Sequence, residues 1–283
     1  MGNAFDLPEA AQKRLKQMRG SDGKPAMFTS DLSVNEFLMV KQAGFAPVGL
    51  VMGSSIYHVG YQFLVPGLFG LFWKDQEIGV ATQASYNARS LAMSRMIEEA
   101  NALEADGIIG VRFQLPSYDW GKELLHVVIL GTAVKNINGE NFRGPKNQIF
   151  TSNLNGQDFW TLLKSGHRPL SLIMGNCVYA LRQQGILQSF KQLGKNIEVP
   201  NYTQAIYAAR ESAQERMMAE LGKSETKPDG VTGVNLEEKV NPHTDNRGNI
   251  EYYTIDFFSV GTSVIPYETK EPLSAPAFIQ LMK

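Results

Sequence analysis

At 283 residues the chain is too long for one minimal domain and comfortable for two of about 120 residues, each able to bury an ordinary core. A formal net charge of −1 gives no field that would select nucleic acid or an anionic membrane as main partner. The single cysteine, Cys177, excludes an internal disulfide and fits a reducing compartment, so a soluble cytoplasmic protein is expected.

Residues 1–27 read as an N-terminal arm without the apolar run of a secretory signal, and Pro8 to Met18 within it as a short basic helix. From Phe28 the sequence begins to say nearly the same thing twice. Phe28-Thr29-Ser30-Asp31-Leu32 returns 122 residues later as Phe150-Thr151-Ser152-Asn153-Leu154. At that offset Leu50-Val51-Met52-Gly53 falls on Leu172-Ile173-Met174-Gly175 and Tyr57 on Tyr179. Thr82-Gln83-Ala84 returns as Thr203-Gln204-Ala205, Asp106-Gly107 as Asp229-Gly230, and Gly131-Thr132 as Gly261-Thr262. A drifting offset of this kind marks a duplicated domain with loop insertions, not a solenoid of short repeats.

Each repeat opens with a small helix, Val34 to Gln42 and Gln157 to Lys164, stopped by Gly44 and Gly166. A strand follows, Val48 to Tyr57 and Leu170 to Leu181. The copies then diverge. The first carries the aromatic, glycine-rich run from Phe63 to Trp73, whose Pro66, Gly67 and Gly70 and short length exclude a bilayer span. The second carries the more polar, helix-like Leu187 to Leu193.

A long helix is expected from about Ala81 to Ala105 and again from Tyr202 to Leu221. Two strands close each unit. Gly107 to Leu115 alternates as a half-buried strand does, and Leu124 to Val134 is apolar throughout, as a strand covered on both faces would be. Their counterparts are Gly230 to Val240 and Ile250 to Tyr267. The layout is a repeat over 28–135, a linker over 136–149, a repeat over 150–267 and a tail over 268–283. Each repeat is a β-α-β-β unit, one long helix over an antiparallel sheet, which places the chain in the α+β class.

Ala88, Ala92, Met96, Ala100 and Leu103 share one face of the first long helix, and Arg89 falls inside that stripe. Arg210 falls inside the stripe of Ala209, Ala213, Met217 and Leu221. An apolar stripe tolerates a cation that is paired or can snorkel to water. Three readings stand: a salt bridge or carbonyl clamp at a subunit interface, a bidentate site for a ligand anion, and snorkelling. Glu99 and Glu220 also match between copies. Arg95 and Arg216, four residues before them, would make i,i+4 surface pairs.

His58, His126, His167 and His243 show no metal-ligand spacing, and three of them meet Ala180, Asp256 and Phe45 in the other copy. Gly107 and Gly230 open a strand, so they read as close-approach or bulge glycines without a helix dipole for phosphate. Gly131 and Gly261 sit within the last strand, and Gly53 and Gly175 within the first. Phe63, Leu64, Leu68, Phe69, Phe72 and Trp73 would form an apolar contact surface, either subunit interface or a face for a protein partner or membrane. The tail, with Leu273, Phe278, Ile279, Leu281 and Met282, could dock on its own chain or on a partner. No nucleophile, base and orienter can be assembled, so no enzyme is expected.

These pieces resemble the YbjQ-like family, a group labelled as heavy-metal-binding domains. The likeness rests on Leu50-Val51-Met52-Gly53-Ser54, on Ala88-Arg89, Ala92, Met96 and Glu98-Glu99-Ala100, on Asp106 to Arg112, and on Gly131-Thr132-Ala133-Val134. Weaker copies are Ala209-Arg210, Asp229 to Val234 and Gly261-Thr262-Ser263-Val264. The resemblance implies a dodecin-like fold that assembles into pentameric rings, and no enzymatic activity. A divalent heavy metal or small ligand is the family's alternative, although this chain lacks a cysteine and histidine set to hold a metal. Two units per chain cannot fill one five-membered ring with whole chains. The expectation is therefore a homo-oligomeric, ring-forming scaffold: five chains in two stacked layers, or three chains in one ring of six units.

Overall fold

The protein is seen in a computed structural model that describes residues 7–19, 28–58, 76–114, 124–182, 200–223, 225–244, 247–248 and 250–269. The apolar insert 63–73 and the tail from 270 onward lie outside the described residues.

One order of elements occurs twice. The first half runs α2 (Val34–Gln42), β1 (Phe45–His58), α3 (Gly79–Ala102), β3 (Gly107–Gln114) and β4 (Leu124–Asn136). The second runs α4 (Gly156–Lys164), β6 (His167–Arg182), α5 (Pro200–Leu221), β7 (Gly230–Thr244) and β8 (Ile250–Pro266). Three further elements are α1 (Glu9–Arg19), β2 (Gln76–Glu77) and β5 (Phe150–Thr151). Ser33 and Glu36 close a capping box at the start of α2, and the Asn155 side chain caps α4. Both helices end where Gly44 and Gly166 take positive φ.

The strands form two four-stranded sheets, ordered β1-β4-β3-β5 and β2-β6-β8-β7. The chain is thus a mixed α/β protein with a long helix on each sheet. Each sheet is completed by a strand from the other half. β5 pairs in parallel with β3, Gly107 opposite Phe150 and Ile108 opposite Thr151. β2 pairs antiparallel with β6, Gln76 opposite Ala180 and Glu77 opposite Tyr179. Two-residue strands give no periodic signal, which is why the sequence reading contains neither.

The long helices lie flush on their sheets through paired small residues. Ala88, Ala92, Met96 and Ala100 of α3 are buried, as are Ala209, Ala213 and Met217 of α5. Gly53 sits beneath the Ala92 carbonyl and Gly175 beneath the Ala213 carbonyl, each too close for a side chain. Gly131 and Gly261 lie mid-strand, where a Cβ would press on Ile108 and Val231 at 2.8 and 2.6 Å. Bulges interrupt β3 between Ile109 and Arg112 and β7 between Thr232 and Asn235, around Gly110 and Gly233 with positive φ.

One expectation differs from the structure. β4 is covered on both faces only from Gly131 to Val134, and before that it alternates between buried and half-buried positions. The linker segment 136–149 is itself packed. Phe142 and Ile149 are buried, and Arg143 bonds the Ala105 carbonyl at 2.7 Å and approaches Asp106 at 3.4 Å. Phe142 joins Phe45, Phe150 and Phe159 in an aromatic core fed by both halves. The N-terminal helix is likewise docked, with Leu15 buried and Met18 close to Gly49.

Placing a methyl group against a helix carbonyl is overpacking, so Gly53→Ala and Gly175→Ala should each destabilise by about 1–3 kcal/mol in denaturant titrations. A change within a few tenths would contradict flush seating.

Candidate functional site

The buried polar and charged features that make a candidate site gather at the junction of the two halves. Two short backbone segments cross it in opposite directions. From the second half, residues 150–154 lie along the edge of β3. Phe150 N–H donates to the Asp106 carbonyl (3.2 Å) and Ser152 N–H to Ile108 (2.9 Å). In return Gly110 N–H donates to Leu154 (2.8 Å) and Val111 N–H to Ser152 (3.0 Å). The Phe150 ring covers Gly107 so closely that no side chain would fit there. From the first half, the chain entering α3 runs along β6. Ile78 N–H donates to the Val178 carbonyl (2.8 Å), and Val178 N–H donates to the Thr82 hydroxyl (3.0 Å). The Asn176 amide donates to the Thr82 carbonyl (3.1 Å), and the Tyr86 hydroxyl to the Met174 carbonyl (3.3 Å). An exposed sheet edge is a template for further pairing, and here each half blunts an edge of the other.

Arg89 sits at the centre of this junction. It is fully buried, with its guanidinium carbon 4.1 Å above the Phe258 ring and Nη2 3.8 Å from Asp256 Oδ1, both on β8 of the other half. Burial raises the Asp256 pKa, and the Arg89 charge opposes the rise. Burial also raises Glu237 on the neighbouring strand, again with Arg89 pulling it down. The cation is therefore held by a ring face and the Asp256 carboxylate of the second half, with the Glu237 charge nearby. A desolvated cation–π contact contributes about 2 kcal/mol, and the ion pair spares the interior an uncompensated charge. Across the junction Arg216 also meets Glu77 at 2.7 Å, and Phe113 meets Phe258 edge-on at 4.8 Å.

Arg210 is placed differently. It is half-buried on α5 and lies 5.9 Å from the Tyr207 ring of its own helix. Glu99 and Glu220 do not form the expected surface pairs. Glu99 is buried and accepts from the Met52 amide at 2.9 Å and from Arg14 of α1 at 2.5 Å. Glu220 accepts from the Met174 amide at 2.9 Å, and burial raises its pKa. Arg95 and Arg216 instead donate to the Ser54 and Asn176 carbonyls. The physical reason is that β1 and β6 have amides with no strand partner, and an unsatisfied buried amide costs more than an exposed ion pair returns. Beside Glu220 a cavity of about 420 Å³, lined by Leu170, Leu172, Ile173 and Lys223, lies where α1 covers the equivalent positions of the first half.

Asp256, Phe258, Glu77 and Thr82 escaped the sequence reading as site residues. One signal was available: an aspartate within the apolar run of β8 is as anomalous as an arginine in an alanine stripe.

The donors among the described residues do not suit a heavy metal. Burial, with the Glu77 charge adding, pushes the Cys177 thiol up to about 11, so it is not a ready thiolate. His243 is held near 4 by burial. Among the described residues no group of three or more His, Cys, Asp or Glu is placed to hold a metal ion. No helix among them is long and apolar enough to cross a membrane.

Truncating the cation leaves Asp256 buried and unpaired. Arg89→Ala should therefore cost about 3–5 kcal/mol in equilibrium unfolding, and Arg89→Met with Asp256→Asn markedly less than the sum of the single changes. Additive losses would remove Arg89 from this role.

Residues 76–137 match the YbjQ family, described as "putative heavy-metal-binding". The chain is similar along 96% of its length to the encapsulin nanocompartment protein Rv1762c of Mycobacterium tuberculosis, 44% identical over 275 residues and covering 96% of that protein. It also resembles a UPF0145 protein of Helicobacter hepaticus, 40% identical over 90 residues, 31% of this chain and 82% of that one. A UPF0145 protein of Halorubrum lacusprofundi is 42% identical over 91 residues, with the same shares. None of these names denotes an enzyme. The chain belongs to the YbjQ-like family.

Proposed function

We propose that this chain is a non-enzymatic, self-assembling scaffold or shell protein of the cytoplasm. Its building block is a dodecin-like β-α-β-β unit present twice, over 28–135 and 150–267. The observation that carries this reading is the junction itself. Backbone arms and a buried cation join one unit to the next as separate subunits are joined in an oligomer, with Arg89 as the clamp. The relative that matches along nearly the whole chain is named as a nanocompartment protein, and a compartment requires a chain that binds copies of itself. Arg210 is the corresponding residue on the helix of the second unit. Glu99 and Glu220 serve the units internally, each fixing a strand amide beneath its own long helix. The heavy-metal description of the family gains no support from the donors among the described residues.

Native mass spectrometry or mass photometry at micromolar concentration should find particles of several 31.4 kDa chains. A monomer under those conditions would refute self-assembly.

A further inference from the structure

The inner junction uses four surfaces, and the sequence holds a second copy of each. The first half lends the edge of β3 and the start of α3. The second half lends the arm 150–154 and the edge of β6. Their counterparts are the edge of β7, the start of α5, the arm 28–32 and the edge of β1. The first pair lies on the second half and the second pair on the first half, so one chain cannot mate its own outer surfaces through the joint already formed.

Residues that are sealed inside have partners that are bare outside. Phe150 is 1% exposed and its counterpart Phe28 44%. Val178 is 1% exposed and its counterpart Ile56 68%. Met174 and Val111 are buried, whereas Met52 and Val234 are exposed. Phe28 is already posed like Phe150: it stacks on Phe37 at 5.6 Å as Phe150 stacks on Phe159 at 5.7 Å. The seat is open as well. Phe150 fills the space over Gly107, while a Cβ on its counterpart Gly230 would meet nothing within 4 Å. Tyr207, the counterpart of Tyr86, is exposed, and the Met52 carbonyl stands where Met174 offers its own to Tyr86.

We propose that a second copy of this chain docks head to tail on these surfaces. Residues 28–32 of one copy add to the β7 edge of the next, with Phe28 over Gly230, and Tyr207 and the start of α5 cover the β1 edge at Met52 and Ile56. This deepens the assembly reading and rests on it. The interface is heterologous, so it propagates into a closed ring or a longer array in which the two halves alternate. It differs from the inner joint at the clamp. Where Arg89 meets Asp256 and Phe258, Arg210 would meet His126 and Val128 of the next copy. Without the carboxylate and the phenyl face, the joint between chains is the weaker one and releases folded single chains first.

The test uses full-length chains blocked on one face each. Phe28→Asp with Ile56→Lys blocks the arm face. Gly230→Val with Val234→Lys blocks the edge face; Gly230 has no left-handed φ and has open space around it, so folding should survive. Each variant alone should fall to single chains with an unchanged circular dichroism spectrum. Mixed in equal amounts, they should form a species of two chains and nothing larger, because each keeps one working face. If the unsubstituted chain assembles and both variants assemble like it, or if the mixture stays monomeric, the proposed joint is wrong while self-assembly stands. A monomeric unsubstituted chain would sink both. As a second measurement, Thr29→Cys with Val231→Cys reproduces the facing positions of Thr151 and Ile108. Oxidation with diamide should give a ladder of cross-linked chains, and single chains alone would overturn the proposal.

Discussion

A sheet edge must be paired, covered or made unattractive, and this chain covers edges by exchange. β3 is closed by backbone from the second half and part of β6 by backbone from the first. The main-chain bonds that do so are few, but they fix the register in which the halves meet. Everything else at the junction depends on that register: Phe150 over Gly107, Thr82 bonded to the β6 backbone, and Arg89 over Phe258. A slip of one residue would turn Phe150 away from Gly107 and move the β6 and β8 backbone out of step with Thr82 and Arg89.

The buried cation adds selectivity more than strength. Desolvating a guanidinium is costly, and an apolar side chain of similar volume would pack without that cost. What the arginine contributes is a requirement: the surface opposite must carry an aromatic face and a carboxylate. The β8 strand carries both, as Phe258 and Asp256, and the β4 strand carries Val128 and His126 at the corresponding places. The inner and outer joints are thus alike in shape and unlike in chemistry. That difference can tell two neighbouring units of one chain from two units of different chains.

Much of the fold was legible in the sequence because the long elements have strong periods. The helix from Val34 to Gln42 and the strands opening at Gly107, Leu124, Gly230 and Ile250 begin where pattern and glycine stops place them. Comparing two copies also identified Arg89 and Arg210 as cations in alanine-rich stripes. The environment of Arg89 was not legible, since Asp256 and Phe258 lie about 170 residues away in sequence and only pairing across the junction brings them close. Glu99 was misread because helix spacing alone favours a partner at Arg95. The sheet edge beneath offered an unpaired amide, and burial decided the matter. The two-residue strands carry no pattern of their own, and the packing of the linker 136–149 was not legible because glycine and proline hide the burial of Phe142.

The halves meet as a folded interface with register, and not as two domains resting against each other. Amide hydrogen exchange followed by NMR tests it most directly, at Ile78, Gly110, Val111 and Ser152, whose N–H groups bond across the junction. These amides should exchange as slowly as mid-strand amides of β4 and β8. Exchange at the rate of open loops, with β4 and β8 still protected, would contradict it.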